Sequence, residues 1–333
     1  MIGIDVGGAN LKVVDKNGVH LHYCPLWEEA PVTDCLLRYV QEPADPAAVV
    51  MSGELADCFE NKAQGISFIV GAVKAAFPRA KFYGTDSRFH EGAAPLLAAA
   101  NWLASADYLR TRHPGAVLLD IGSTTADIIP LGRFPELHGL TDLLRLQKGY
   151  LLYTGMLRTN IATLLRSVDL AGVWTPVSTE YFATGADAHL VLGHIPAALY
   201  SCDTPDRKEK TPAASLRRLA RVVCADLDEI GAEGAMEIAR QFWDIQRELV
   251  CGQVRKVAQD SRTREIIVAG IGAPIFAREL GGTDLTQELG PAADALPAFA
   301  VREIAVRDGI FSGETAVPEG KSRLEKNPEG SST

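Results

Sequence analysis

Residues 1–15 read M-I-G-I-D-V-G-G-A-N-L-K-V-V-D, and residues 116–131 read A-V-L-L-D-I-G-S-T-T-A-D-I-I-P-L. Both stretches have one grammar. An apolar run ends in Asp, an apolar residue and Gly, small or hydroxyl residues follow, and a second apolar run closes the unit. Glycines at a two-residue turn between β-branched runs predict a β-hairpin. The same hairpin met twice in one chain predicts two related lobes rather than two unrelated domains. A third stretch, residues 265–282, E-I-I-V-A-G-I-G-A-P-I-F-A-R-E-L-G-G, again places glycines behind an apolar run.

These are not dinucleotide sites. A G-x-G-x-x-G turn leads from a strand into a helix that receives pyrophosphate. Here Gly7 and Gly8 are followed by Leu11, Val13 and Val14, which continue as strand. No G-x-x-x-x-G-K-[ST] occurs, so a P-loop is also excluded. A glycine hairpin has another use: its backbone comes close to an anion, and successive N–H groups form a nest around phosphate oxygens. Gly7, Gly8 and Asn10 would form one nest, and Gly122, Ser123, Thr124 and Thr125 the other, with hydroxyls added. Lys12 lies within reach of a phosphate, or is an exposed hairpin charge. Asp5 and Asp120 occupy equivalent strand ends. Paired in this way beside phosphate, they are expected to hold Mg2+, partly through water; one of them could instead act as a general base.

A chain of 333 residues is long enough for two domains. The net charge of −9 argues against nucleic acid as the main partner, because phosphate backbones are bound by basic surfaces. No apolar run is long enough to cross a membrane, and Asp5 interrupts the first one, which excludes a signal peptide. The six cysteines are scattered without a C-x-x-C pair, as in a reduced chain. The cytoplasm is the expected compartment, and a homo-oligomer is expected without any feature that fixes its symmetry. Helices are predicted over residues 63–76, 93–106, 151–168, 215–223 and 234–259, with Ser52 as an N-cap before residues 54–58. Residues 203–212 read as a polar loop and a candidate lid. Lobe I is assigned to residues 1–112, lobe II to 113–282, helices returning to lobe I to 283–319, and a disordered tail to 320–333.

The three glycine segments resemble, in order, the phosphate-1, phosphate-2 and adenosine motifs of the actin, sugar-kinase and heat-shock-chaperone superfamily. That resemblance implies an α/β, two-lobed, actin/hexokinase-like (ribonuclease H-like) fold with a cleft between the lobes. Residues 51–57, M-S-G-E-L-A-D, resemble the T-G-E-L-x-D segment of its hydantoinase/oxoprolinase-related branch. Residues 147–160, Q-K-G-Y-L-L-Y-T-G-M-L-R-T-N, resemble the branch's Y-T-G-x-x-R-T segment, and residues 180–193, E-Y-F-A-T-G-A-D-A-H-L-V-L-G, its A-T-x-A-D segment. Residues 203–218 are similar to its D-x-x-x-K-T loop and the S-x-x-R-L-A-R that follows. Departures are small: Ser52 for Thr, Gly185 where Met is common, and Asn160 where Pro is frequent.

Together these segments resemble the compact single-chain family linked to tetrahydromethanopterin-dependent one-carbon metabolism, with its characterised activity in methanofuran biosynthesis. The resemblance implies a transferase that needs no ATP cleavage. A furanylmethyl group would leave its diphosphate for the phenol of γ-glutamyl-tyramine or a tyrosine-derived acceptor. Asp5, Asp120, Glu54 and Asp187 are the candidate catalytic carboxylates. Arg158 would join the phosphate set, unless it is a helix-surface charge, with Lys148 on the same helix. Tyr153, Thr154, Gly155, Gly270 and Gly272 would line the organic part of the ligand. Asp187 and His189 form a D-x-H pair, a weak metal signal.

Three other readings stay open. An ATP-dependent small-molecule kinase is the reading that the three motifs alone would favour. ATP-dependent hydantoin or oxoproline ring opening is related, although such enzymes usually need a longer chain or a partner subunit. A metabolite-binding regulator would want a DNA-binding domain, and Met1 begins directly at the first strand.

Overall fold

The structure, a computed structural model, describes residues 1–28, 31–42 and 45–312. The expected tail at 320–333 lies outside the described residues, as does the end of the 283–319 segment. The chain starts with β1 (Ile2–Val6), β2 (Asn10–Asp15), β3 (Gly18–Tyr23), β4 (Ala47–Met51), β5 (Lys81–Tyr83) and β6 (Phe89–His90), one sheet ordered β3-β2-β1-β4-β5-β6. Further on come β7 (Val117–Ile121), β8 (Ala126–Pro130) and β9 (Leu151–Leu152), and then the ribbon β10 (Ser167–Leu170) and β11 (Val173–Pro176). Strands β12 (Ile266–Ala269) and β13 (Thr283–Asp284) complete a second sheet, ordered β13-β12-β7-β8-β9.

Read from its hairpin outward, each sheet has the order 3-2-1-4-5. The hairpins are antiparallel, while β4 is parallel to β1 and β12 is parallel to β7. The central strands IGIDV, AAVVM and IIVA are buried at every position, because helices cover both sheet faces. By contrast β3, GVHLHY, is an edge strand and largely exposed. The fold is therefore the two-lobed α/β actin/hexokinase-like one that the repeated hairpin predicts.

Two helices form the floor between the sheets. Asn101–Leu109 and the C-terminal Leu296–Arg307 share one core cluster with Val50 of the first sheet and with Leu118, Ile129 and Ala269 of the second. The second sheet extends through Asp284, and the later helix Leu296–Arg307 packs on β1 and β4.

Several local expectations need correction. The hairpin turns contain three and four residues (7–9 and 122–125), not two, and each is closed by a backbone bond from its glycine, Gly7 N–H to Asn10 O and Gly122 N–H to Thr125 O, both 3.0 Å. The helix expected over 93–106 is a 3-10 turn at Pro95–Leu97 and a helix from Asn101, with Ala99 at φ 46° between them. No helix follows Ser52; Asn61 caps the next one, Lys62–Ala76, by accepting from Gln64 N–H at 3.0 Å.

Residues 151–168 are not one helix. They form β9, a loop, a single turn at Ile161–Leu164 and β10. Thr159 Oγ1 accepts from Gly155 N–H and donates to Gly155 O, both at 3.0 Å, so a side chain closes the turn in place of a helical ladder. Lys148 and Arg158 consequently do not share a helix: Lys148 ends the helix Asp142–Lys148, and Arg158 lies in the loop. The helix expected over 234–259 is present and runs to Asp260. A short helical turn from Leu227 precedes it, capped by Asp226, which accepts from Asp228 and Glu229 N–H at 2.9 and 3.0 Å, and Gly231 at φ 68° breaks the span between the two.

Candidate functional site: two facing hairpins

In the first hairpin Asp5 is the register partner of Lys12, and in the second Asp120 is the register partner of Asp127. Cross-strand partners share a sheet face, so each hairpin presents two charged side chains, seven residues apart in sequence. Lys12 Nζ lies 3.4 Å from Asp5 Oδ2. Asp5 is 2% exposed, and its Oδ1 is buried without a hydrogen-bond partner among the described residues. Burial, only partly offset by Lys12, raises its proton affinity.

The two hairpins face one another electrostatically. Burial pulls the Lys12 ammonium down, yet Asp5, Asp120 and Asp127 together hold it above its usual value. Asp120 is pushed up to about 7 by burial first and then by Asp127, with Lys12 pulling the other way. Asp127 is also raised by burial, but Arg145 bonds its carboxylate directly. Arg145 is itself buried, stacked 4.3 Å over the Trp102 ring and bonded to Asp142 at 2.9 Å.

Two flanking segments brace the turns. Ser52 and Gly53 donate to Val6 O at 3.0 and 3.1 Å, and a Cβ on Gly53 would fall 2.9 Å from the Gly7 backbone. On the other lobe, Met156 N–H donates to Gly122 O at 2.9 Å, and Leu157 and Arg158 donate to Ser123 O at 3.0 and 2.9 Å. A Cβ on Gly155 would lie 2.6 Å from Thr124 N, so only glycine permits this approach. Thr154 Oγ1 and Gly155 O in turn accept from Gln246 Nε2 of the long helix, at 2.9 and 3.0 Å. Gly270, at φ 82°, lies against Ile121 O and the Asp120 carboxylate; Gly272 donates to Ile121 O at 3.2 Å.

The structure thus gathers Asp5, Lys12, Asp120 and the turn residues Gly7, Gly8, Asn10, Gly122, Ser123, Thr124 and Thr125, with Thr154, Gly155, Gly270 and Gly272 behind them. It leaves others apart. Asp187 is fully buried; its Oδ1 accepts from Ser215, Arg218 and Tyr200 at 2.8, 2.8 and 3.1 Å, and its Oδ2 from Thr184 N–H at 3.0 Å. Its acceptor capacity is taken up by protein donors, and it joins two helices. His189 is not a metal ligand. It bonds Gln246 at 2.8 Å and His194 at 3.0 Å, and burial pushes it down to about 3, so it is neutral.

Glu54 is 1% exposed with Oε2 unpartnered, and burial raises it, but the charges it feels most are Asp142 and Lys62 rather than the hairpin carboxylates. Tyr153 is 73% exposed. The 203–212 loop is tied down: Arg218 Nη1 donates to Asp206 at 3.1 Å, and Thr211 caps the helix Pro212–Arg221. Sequence reasoning missed Asp127, although its signal was present: the same offset of seven that separates Lys12 from Asp5.

Among the described residues there is no group of three or more His, Cys, Asp or Glu side chains that could hold a metal ion. Mg2+ needs less, since it keeps several waters and takes one or two carboxylates plus phosphate oxygens. The unpartnered buried Oδ1 of Asp5, facing the raised Asp120, fits such an ion. A concavity of about 590 Å³ between Val32 and Phe68 on the first lobe lies away from the hairpin turns. No described helix is long and apolar enough to cross a membrane, and all six cysteines are free thiols.

The chain is similar to several known proteins. The chain is 32% identical over 326 residues to a (4-{4-[2-(gamma-L-glutamylamino)ethyl]phenoxymethyl}furan-2-yl)methanamine synthase from Methanocaldococcus jannaschii, an alignment covering 91% of this chain and 97% of that protein. It is 40% identical over 160 residues to the synthase of the same description from Methanococcus vannielii, covering 48% and 72% respectively. Nucleotide-free acetone carboxylase shares the fold at TM-score 0.50 and 10% identity, over 90% of this chain and 69% of that one. The hydantoinase/oxoprolinase model matches residues 45–301, most of both lobes, and the chain belongs to the hydantoinase/oxoprolinase family.

Proposed function

We propose that the chain is a transferase of methanofuran-type cofactor biosynthesis. It condenses (5-aminomethylfuran-3-yl)methyl diphosphate with the phenol of γ-glutamyl-tyramine, or a tyrosine-derived acceptor, and releases diphosphate. The observation that carries this reading is the near-full-length similarity to the Methanocaldococcus jannaschii synthase. The site is chemically suited to it. The two turns would seat the diphosphate on backbone N–H groups, with Lys12 beside them. Asp5 would hold Mg2+, which would supply positive charge to the leaving diphosphate.

The bond between the furanylmethyl carbon and the diphosphate oxygen breaks, and a bond from that carbon to the phenolic oxygen forms. The electron-rich furan stabilises the developing cation, so the protein chiefly orients the partners and excludes water. Asp120, with proton affinity raised to about 7, accepts the phenol proton. No step requires ATP. The reaction is a cytoplasmic one in this reading, with small molecules as the partners.

An ATP-dependent small-molecule kinase is the second reading, favoured by the 270–272 turn, which leads into the helix Ala273–Leu280 beside Asp120. Purified protein with Mg2+ and both proposed substrates separates the two when diphosphate release and ether product are followed by mass spectrometry. A parallel set holds ATP and the furan alcohol. Ether product without ATP, lost in Asp5→Ala and Asp120→Ala variants that still fold, supports the transferase. ADP formation in the parallel set with no ether from the diphosphate moves the chain to the kinases.

A further inference from the structure

Arg158 joins the two hairpins across the cleft. Its backbone N–H is fixed to Ser123 O of the second turn at 2.9 Å, and its guanidinium lies over the Trp27 ring at 4.6 Å. Trp27 sits in the 3-10 turn Leu26–Glu28, which is fixed to the first turn: Leu26 N–H donates to Gly8 O and Cys24 N–H to Ala9 O, both at 2.9 Å. Among the described residues no carboxylate pairs with Arg158. Stacking occupies the face of a guanidinium and leaves its edge of N–H donors free, the arrangement that receives a carboxylate in two parallel bonds.

The charge of Arg158 acts on two phenol side chains. Tyr23, 42% exposed, is the register partner of Asn10. Tyr181, 51% exposed, lies on the segment that Thr184 pairs with Asn160, two residues past Arg158. Burial and the Asp203 and Glu28 carboxylates push the Tyr23 phenol up, while Arg158 pulls it down; Arg158 also acts on Tyr181. Cation, carboxylates and aromatic rings therefore lie within electrostatic reach of one another.

We propose that Arg158, Trp27, Tyr23 and Tyr181 form a second-substrate subsite for an aromatic molecule with an amino-acid head, and that Arg158 binds its carboxylate. Glu28 and Asp203 supply negative charge for the ammonium of that head. This removes Arg158 from the phosphate set in which the sequence places it. The inference rests on the transferase reading, in which the acceptor phenol must lie beside a diphosphate held by the hairpins.

Isothermal titration of the full chain tests it with three probes: inorganic diphosphate with Mg2+, γ-glutamyl-tyramine, and tyramine, which lacks the carboxylate. R158Q is expected to weaken γ-glutamyl-tyramine by about tenfold or more, the usual worth of charge-assisted bonds. R158K should fall between, because it keeps the charge and loses the fork, and circular dichroism checks that both fold. Tyramine and diphosphate should stay within about twofold. Weaker diphosphate binding in R158Q, an equal loss for tyramine, or no binding of γ-glutamyl-tyramine by the unaltered chain overturns the subsite. Arg158-dependent binding with no ether product sinks the transferase reading and leaves the subsite standing.

Discussion

Asp120→Asn should make the protein more stable at neutral and alkaline pH while removing its activity. The Asp120 carboxyl rises from the ordinary 3.8 to about 7 in the folded chain, through burial and then Asp127. Between those two values the folded state keeps a proton that the unfolded chain has released. Stability therefore falls as pH rises through this window, and the penalty is complete above pH 7. Each tenfold change in proton affinity is worth about 1.4 kcal/mol, so the shift is worth at most about 4 kcal/mol. The water that reaches a half-buried side chain reduces the expected gain to about 1–2 kcal/mol. Asparagine keeps the shape and cannot ionise. Urea unfolding without Mg2+, followed by circular dichroism at pH 4, 6 and 8, should show D120N level with the parent at pH 4 and ahead of it at pH 8. A parent that is the more stable at pH 8, or a difference that does not change with pH, would refute the argument.

Three further outcomes follow from the same geometry. Gly155→Ala puts a methyl 2.6 Å from Thr124 N and should cost about 1–3 kcal/mol and weaken diphosphate binding in calorimetry; Gly252→Ala, with open space around its Cβ, should not weaken it. Asp187→Ala removes the fully buried partner of Arg218, which keeps Asp206 and Glu209 O, and should cost about 1.5–3 kcal/mol in denaturant unfolding; if the folded fraction loses diphosphate binding selectively, Asp187 acts at the site. Although burial opposes its charge, hydrogen bonds from Arg307, Tyr83 and Arg110 hold the Asp107 carboxyl below the usual range. Its contribution is present above the unfolded carboxylate value and lost as pH falls towards the folded one, so the parent should lose stability more steeply than D107N on acidification below about pH 4.

The fold was legible because its deciding feature is local. A hairpin that ends in aspartate and glycine needs only a dozen residues to recognise, and finding it twice implies the paired sheets. What sequence reading lost depends on distance. The Leu and Ala spacing of residues 151–168 suits a helix, but Gly155 is held against a turn thirty residues earlier, and Thr159 closes the loop instead. Asp187 looks like a site carboxylate until Ser215 and Arg218, about thirty residues later, are seen to enclose it. Asp127 could have been found by carrying the offset between Asp5 and Lys12 into the second hairpin. Its neutraliser, Arg145, could not, since that pairing arises only when the helix Asp142–Lys148 packs beside β8.

The two hairpins match in strand register but differ in sign: where the first carries Lys12, the second carries Asp127. A duplicated frame with identical charges would have a near twofold axis, and a ligand as symmetric as diphosphate could lie in it either way round. Exchanging one cation for one anion polarises the cleft from end to end. Under the transferase reading proposed above, a diphosphate ester would have a preferred heading, its more highly charged terminus towards Lys12 and its organic arm away. A single charge difference between two otherwise matching turns can in this way set the direction in which a group is handed across the cleft.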